Sequence, residues 1–393
     1  MLIAIIGGKL QGAEAAYLSR KAGWEVMLID RRTDTPASGL CSRFIQFNVI
    51  STKATSRLLA EADLILPALE NRDALRILKK CADITGIPLA FDPDAYAVTA
   101  SKIRSDRLFK RLKLPAPAPW PDCDFPVIVK PDGASGSRGV RIIRNKKALR
   151  PYLDNKTEYV IQEFLQGPSY SLEVFGFPGN YHIGQVTRLE TDAGFDCKRV
   201  SAPAGLSRKL TREFERMSVI IAEASGLKGL MDVEVILDGD VLKLLEIDAR
   251  LPSQTPSAVY WSTGVNLVKN LGELFINPET ATAPLLAKKP RAVIYEHIRI
   301  SGGRIEVAGE HIMSGSGPLS VHSDFFGADE AVTNYKPGRA NWVATLIFTE
   351  KNMHAVHAKK AETIDAIMKH CGCDKYADPV PEIQAERIDY DPS

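Results

Sequence analysis

The chain has 393 residues, 45% of them apolar and 25% charged, with 50 Lys and Arg against 48 Asp and Glu. That length supports two to four domains with sizeable cores, and near-neutral charge gives no whole-chain electrostatic attraction to nucleic acid. The apolar content excludes an acidic disordered chain, no apolar run nears the roughly 18 residues a membrane helix needs, and six cysteines are too few for a disulfide scaffold.

Strand-like and helix-like segments alternate through the first hundred residues. Leu2–Ile6 reads as a short buried strand, too short and without a basic flank for a signal peptide. Gly7–Gly12 follows as a tight loop and Ala13–Ala22 as a helix ended by Gly23. Glu25–Ile29 is a strand ending at Asp30, Ser56–Glu61 a helix and Leu64–Leu66 a strand. Asp73–Thr85 is a helix and Ile87–Phe91 a strand. This alternation predicts a parallel sheet with helices on both faces.

The proline-rich stretch Pro115–Pro126 separates that block from strands at Phe125–Lys130, Arg138–Arg144, Tyr159–Gln162 and Ser171–Phe175. A helix at Arg212–Ser225 precedes a hairpin, Met231–Leu237 and Val241–Asp248, turned at Asp238-Gly239-Asp240. Val265–Phe275 reads as a helix and Ala281–Pro290 as a linker. Short strands, glycine-rich turns and one helix at Lys351–His370 follow. Tyr376–Ser393 is polar and reads as a loosely held tail. Reduced thiols in a cytoplasmic protein are the expectation for the cysteines; Cys371-x-Cys373 lacks zinc or redox spacing.

Three constellations carry chemistry. Gly7-Gly8-x-x-x-Gly12 sets backbone N–H groups beside a helix N-terminus, and Asp30 stands where a dinucleotide site keeps a ribose acceptor. The spacing departs from G-x-G-x-x-G, so a structural turn or a substrate-binding edge reads better. The second runs from Val127 through Lys130-Pro131-Asp132-Gly133-Ala134-Ser135-Gly136-Ser137-Arg138-Gly139. Small residues there let backbone N–H groups approach phosphate oxygens, Ser135 and Ser137 add hydroxyls, and Lys130 adds a point charge. A solvated hairpin loop is the alternative; Walker A is excluded because no G-K-[ST] is present and a strand follows.

The third is the most specific. Alternate residues of a strand share a face, so Glu246, Asp248 and Arg250 point one way and Asp232 and Glu234 do likewise on the partner strand. Carboxylates crowded in this way repel unless a cation intervenes, and oxygen-only ligands suit Mg²⁺ or Mn²⁺. A polar sheet face paired with Arg250 is the plainer reading. Gln162-Glu163-Phe164-Leu165 ends a strand where backbone groups can meet a nucleotide, and Ser169-Tyr170-Ser171-x-Glu173 can line a polar pocket. His354-x-x-His357 falls on a solvated helix face and gives no metal motif.

Together these residues resemble the ATP-grasp superfamily, through Lys102, Lys130 with the Gly133–Gly139 loop, the Gln162–Leu165 hinge, Glu234 and Glu246-Ile247-Asp248-Ala249-Arg250. Most members read E-x-N-x-R at the last site, where this chain has Asp248. Gly7–Ser19, Gly229-x-Met231-Asp232-Val233-Glu234 and Glu246–Arg250-x-Pro252-Ser253-Gln254-Thr255-Pro256 look more closely like the 3-methylornithine–L-lysine ligases of pyrrolysine biosynthesis.

The resemblance implies an ATP-grasp fold of mixed α/β and α+β type. A Rossmann-like pre-grasp domain would occupy residues 1–95, an ATP-grasp domain 96–285 with a lid at about 100–159, a small C-terminal α+β domain 286–378, and a tail 379–393. It implies ATP held by Lys102, Lys130, Ser135, Ser137, Gln162, Glu163, Phe164 and Leu165. Two Mg²⁺ or Mn²⁺ ions would sit on Glu234, Glu246 and Asp248, with Arg250 as the catalytic residue. L-Lysine would lie by Lys9, Leu10, Gln11 and Glu70, and (3R)-3-methyl-D-ornithine by Tyr170, Ser171, Asp232, Ser253 and Thr255. No nucleic-acid or membrane partner is implied.

Overall fold

The apolar run Leu2–Ile6 forms β1, the centre of a four-stranded parallel sheet. After it come α1 (Leu10–Lys21), β2 (Glu25–Asp30), β3 (Arg43–Gln46), α2 (Thr52–Leu59), β4 (Leu64–Pro67) and α3 (Arg72–Thr85). The sheet order is β3-β2-β1-β4, so the alternation produces the expected doubly covered parallel sheet. The structure is a computed structural model and describes residues 1–133, 136–153, 158–278 and 290–381.

The turn after β1 shows why glycines sit there. Gly7 has φ +105°, and a Cβ on it would lie 2.4 Å from the Ala68 carbonyl oxygen. A Cβ on Gly12 would lie 2.0 Å from the Gly7 carbonyl oxygen. Asp30 closes the turn, accepting the Gly8 N–H at 2.7 Å and the Arg32 N–H at 2.8 Å. Its two carboxylate oxygens are engaged locally, which favours the turn over a ribose acceptor.

The strand expected at Ile87–Phe91 is reduced to one bridge, Leu89 to Ile65. Pro88 has no N–H to donate, and Asp92 then starts a helix instead. That helix, α4 (Pro93–Thr99), has Pro93 in its first turn and Asp92 as its N-cap, accepting from Asp94 and Ala95 N–H groups. α5 (Lys102–Leu112) follows, capped by Ser101.

A separate antiparallel sheet, ordered β6-β5-β7, is built from β5 (Val127–Pro131), β6 (Arg141–Ile143), α6 (Lys146–Leu153) and β7 (Tyr159–Glu163). It has its own small core of Val127, Val129, Ile143 and Leu149. β6 is shorter than the expected Arg138–Arg144 strand because the turn before it extends to Val140.

The rest centres on a sheet with twelve strands among the described residues. Its strands are β8 (Ser169–Phe177), β9 (Asn180–Ile183), β10 (Thr187–Thr191), β11 (Cys197–Ala202), β12 (Gly229–Asp238), β13 (Val241–Asp248), β14 (Ala292–Ser301), β15 (Arg304–Val307), β16 (Ser320–Phe325), β17 (Ala328–Thr333), β18 (Trp342–Glu350) and β19 (Lys375–Ala377). The main path is β13-β12-β8-β10-β11-β14-β18-β17-β16. β11 pairs with β14, so hydrogen bonding is continuous across the chain segment expected to be a linker. Most of that segment, residues 281–289, lies outside the described residues.

Helices α7 (Arg208–Ser225), α8 (Thr255–Thr263), α9 (Leu267–Ile276), α10 (His311–Ser314) and α11 (Met353–Cys371) cover this sheet. α7 is amphipathic, burying Phe214, Met217, Ile221 and Ala222. The tail departs from expectation at its start. Tyr376 belongs to β19, which pairs in parallel with β15, and the chain stays attached as far as Asp378 and Pro379. Buried cations on β11 hold it, a contact that local polarity does not announce.

Candidate active site

The β12–β13 hairpin builds one wall. Asp232 stands opposite Asp248 and Glu234 opposite Glu246, with a bulge just after Glu234. On the other side of β12, β8 sets Glu173 opposite Asp232 and Ser171 opposite Glu234. Directly paired residues share a face, so this register gathers five carboxylates on one surface. Ser171 Oγ donates to Asp232 at 2.5 Å. Tyr170 departs from expectation, because strand alternation turns its ring away into the core with Leu172 and Val235.

Electrostatics reflect the crowding. Burial drives the Glu234 carboxyl well above its ordinary range, and Asp232, Glu246 and Asp248 push it further. Asp248 is pushed up to about 7 by burial, against Arg250 and with repulsion from Glu246. Burial likewise takes Asp232 to about 6 against its Ser171 hydrogen bond, and Glu173 to about 8 with Asp232 adding.

Three cations face this wall. The Asp132 carboxylate accepts from Ser101 Oγ and the Ile103 N–H, both at 2.9 Å, and so fastens the start of α5 to the end of β5. That brings Lys102 and Lys130 to one place. Lys102 Nζ meets Glu246 at 2.7 Å, while burial lowers the affinity of Lys130 for its proton and Glu246 opposes that shift. Arg250 pairs with Asp248 at 2.5 Å and with Glu70 at 2.9 Å. The Thr99 hydroxyl oxygen accepts the Ala249 N–H at 3.0 Å, tying α4 to the end of the metal-candidate strand.

These groups line a cavity of about 270 Å³. Around it stand Lys102, Lys130, Ser137, Gln162, Glu163, Phe164, Leu165, Asp232, Glu234, Glu246, Asp248, Arg250, Ser253 and Thr255, all expected from the sequence. Ser135 lies outside the described residues. The hinge is fixed by Glu163 and Phe164 N–H groups donating to Ala118 and Pro126 carbonyls at 2.9 and 3.3 Å. Glu163 also pairs with Lys243.

The first glycine loop does not line this cavity but borders a smaller one that shares Ser253, Gln254 and Glu310 with it. Leu10 lines that smaller cavity, of about 30 Å³, with Glu14, Ser257 and Glu310, whereas Lys9 and Gln11 line neither. Glu70 reaches the site through Arg250.

Several site residues carried weak sequence signals. Asp106 is one helical turn from Lys102 and lines a cleft with Lys102 and Lys130; the i,i+4 spacing was the clue. Burial raises it to about 6, against both lysines. Glu14 follows the glycine loop on α1, accepts the Ser257 N–H at 2.7 Å and is raised to about 7 by burial. Glu310 accepts from Ser253 Oγ at 2.5 Å and Gln254 Nε2 at 2.9 Å. It comes from the β15–α10 turn, and nothing local in the sequence points to it.

The donor set suits a divalent cation. Glu234, Glu246 and Asp248 offer only oxygen, share one face and hold raised or mutually repelling carboxyls that a cation would relieve. Lysines opposite such a wall suit a polyphosphate lying between them.

The ATP-grasp domain family matches residues 99–254. A relative from Methanosarcina mazei, named 3-methyl-D-ornithine–L-lysine ligase, is 33% identical over 378 residues, covering 94% of this chain and 96% of its own. Among solved structures, the biotin carboxylase domain of Hydrogenobacter thermophilus 2-oxoglutarate carboxylase, determined with MgADP, superposes with a TM-score of 0.70 at 15% identity. It covers 93% of this chain and 89% of its own. An L-amino acid ligase from Bacillus licheniformis superposes at 0.66 and 17% identity, covering 93% and 97%. The structural likenesses are likenesses of fold.

Proposed function

The chain belongs to the 3-methyl-D-ornithine–L-lysine ligase family of ATP-grasp enzymes, and from that membership we propose how its own residues run the reaction. The reaction is ATP-dependent joining of the (3R)-3-methyl-D-ornithine carboxylate to the ε-amine of L-lysine, a step of pyrrolysine biosynthesis. The observation that carries the reading is the face shared by Asp232, Glu234, Glu246 and Asp248 opposite Lys102, Lys130 and Arg250.

A carboxylate is a poor electrophile. One of its oxygens attacks the γ-phosphorus of ATP, ADP leaves, and the acyl phosphate that forms has a good leaving group. The neutral ε-amine of lysine then attacks the carbonyl carbon, phosphate departs with the C–O bonding pair, and the nitrogen loses a proton. Lys102 and Lys130 bind phosphate oxygens, and the hinge Gln162–Leu165 with Ser137 borders the nucleotide. Arg250 steadies the acyl phosphate and the oxyanion of the second step, held in aim by Asp248 and Glu70. Glu234, Glu246 and Asp248 would hold two Mg²⁺ ions, or Mn²⁺, which when bound offset charge on the phosphates.

Ser171, Asp232, Ser253 and Thr255 take the methylornithine side, and the glycine-loop edge with Glu70 takes lysine. Residues 1–95, 96–285 and 286–378 act as pre-grasp, ATP-grasp and C-terminal domains. The lid at 100–159 closes over ATP and keeps water from the acyl phosphate. Reliance on ATP and free amino acids supports a cytoplasmic location; among the described residues no helix is long and apolar enough to cross a membrane.

A substrate panel tests the pocket. D-Ornithine, lacking one methyl, should react more slowly, since one methyl in an apolar pocket is worth about 1–3 kcal/mol. L-Ornithine should fail more severely, because inversion at Cα misplaces the amine or the carboxylate. Equal turnover of both ornithines would overturn the pocket reading.

A further inference from the structure

The chain beyond α11 does more than end the fold. Lys198 and Arg199 follow Cys197 on β11 and are 1% and 5% exposed. Both pair with Asp378, each at 2.5 Å, and Lys198 Nζ also donates to the Pro379 carbonyl at 2.5 Å. Arg199 continues to Glu190 on β10 and Glu296 on β14. With β19 paired to β15, the segment Lys375–Pro381 is strapped across the β10–β11 hairpin beside its turn, where Arg199 stands opposite Glu190 and Cys197 opposite Thr191. Pro381 is buried and lines the large cavity.

The turn itself, at Phe195, touches the nucleotide side. Ser137 Oγ, from the turn of the small sheet, donates to the Phe195 carbonyl at 2.8 Å, and the Phe195 ring meets Phe164 of the hinge at 6.2 Å. Asp192 braces the turn by accepting N–H groups from Gly194, Asp196 and Gly309. This one turn therefore joins the strap to both the phosphate-side turn of the small sheet and the hinge.

We propose that Asp378 is a positioning residue for nucleotide binding: its ion pairs with Lys198 and Arg199 fix the strap, seat Pro381 in the cavity wall and hold the Phe195 turn against Ser137 and Phe164. The inference rests on the reading that ATP occupies this cavity. The desolvation of Asp378 is outweighed by Arg199 and Lys198, which keep its carboxyl below the ordinary range and therefore charged.

MgADP binding, measured by calorimetry on the full chain without amino acids, tests it. Asp378→Asn should weaken MgADP by about three- to tenfold, while Asp378→Glu restores affinity to within about twofold. Pro381→Gly leaves the ion pairs and should weaken binding by about two- to fivefold. The KM for ATP should rise in step while kcat at saturating ATP holds, which a loss of stability alone would not produce. Unchanged MgADP affinity in folded Asp378→Asn and Pro381→Gly proteins overturns the proposal; if Asp378→Asn does not fold, Pro381→Gly alone decides it. MgADP binding without any amide product would count against the ligase chemistry and leave the strap standing. A wild type that does not bind MgADP would overturn both.

Discussion

Glu246 meets both sides of the cavity at once, standing beside Glu234 in the hairpin register and holding Lys102 at 2.7 Å. Glu246→Gln keeps the shape and removes the charge. Turnover should fall by at least about 100-fold, since even groups behind metal ligands are worth about 10–100-fold. The circular-dichroism melt should stay within a few degrees of wild type; an unfolded variant would mark a structural carboxylate instead. Asp248→Asn restores the commoner ATP-grasp pattern and should stay active with a shifted Mg²⁺/Mn²⁺ preference, because charge count tunes cation affinity. Superimposable metal titrations would contradict contact between Asp248 and metal. Glu14 gives a pH signature away from that cluster. Burial raises its folded carboxyl from 4.5 to about 7, so the folded chain binds the extra proton between those values. Unliganded stability therefore falls as pH rises through that window, by up to about 3 kcal/mol from this group. Glu14→Gln removes the dependence, so its stability relative to wild type should climb from about pH 4.5 to about 7 and be level outside. Parallel denaturation curves at pH 5 and pH 8 would refute that.

At the scale of elements, what repeated locally was legible and what depended on distant partners was not. Period-two alternation in Met231–Leu237 and Val241–Asp248 gave the hairpin and its carboxylate face, and the register then paired Glu234 with Glu246. The same alternation read strictly would have turned Tyr170 away from Ser171, as the core contacts do. Ile87–Phe91 looked like a strand because its apolar content matched, but Pro88 and the Asp92 cap limit it to one bridge. Glu310 and the strap at Asp378 reach the site through contacts with residues far away in the chain, and no local pattern encodes those. Asp92 is the element whose loss should be felt furthest. It caps α4 and its other oxygen accepts the Lys228 N–H at 2.7 Å, joining the α7–β12 turn to α4. Asp92→Ala should destabilise by about 2–3 kcal/mol, the sum of a lost cap and an unpaired N–H. Urea denaturation reads this directly, and a change below about 0.5 kcal/mol would show that the cap does not hold that junction.

Over the whole molecule, a small antiparallel sheet and one long sheet line a large cavity, the N-terminal part meets it through the Glu70–Arg250 pair, and the Methanosarcina relative shows the ligase family of the chain. The C-terminal strands extend the same sheet that carries the carboxylate wall, so the last part of the chain belongs to the site's framework. The most direct measurement is a mass-resolved assay with ATP, Mg²⁺, L-lysine and (3R)-3-methyl-D-ornithine. ADP, phosphate and an amide on the lysine ε-nitrogen are the predicted products. AMP with pyrophosphate, an amide on the α-nitrogen, or ATP hydrolysis without any amide would contradict the account.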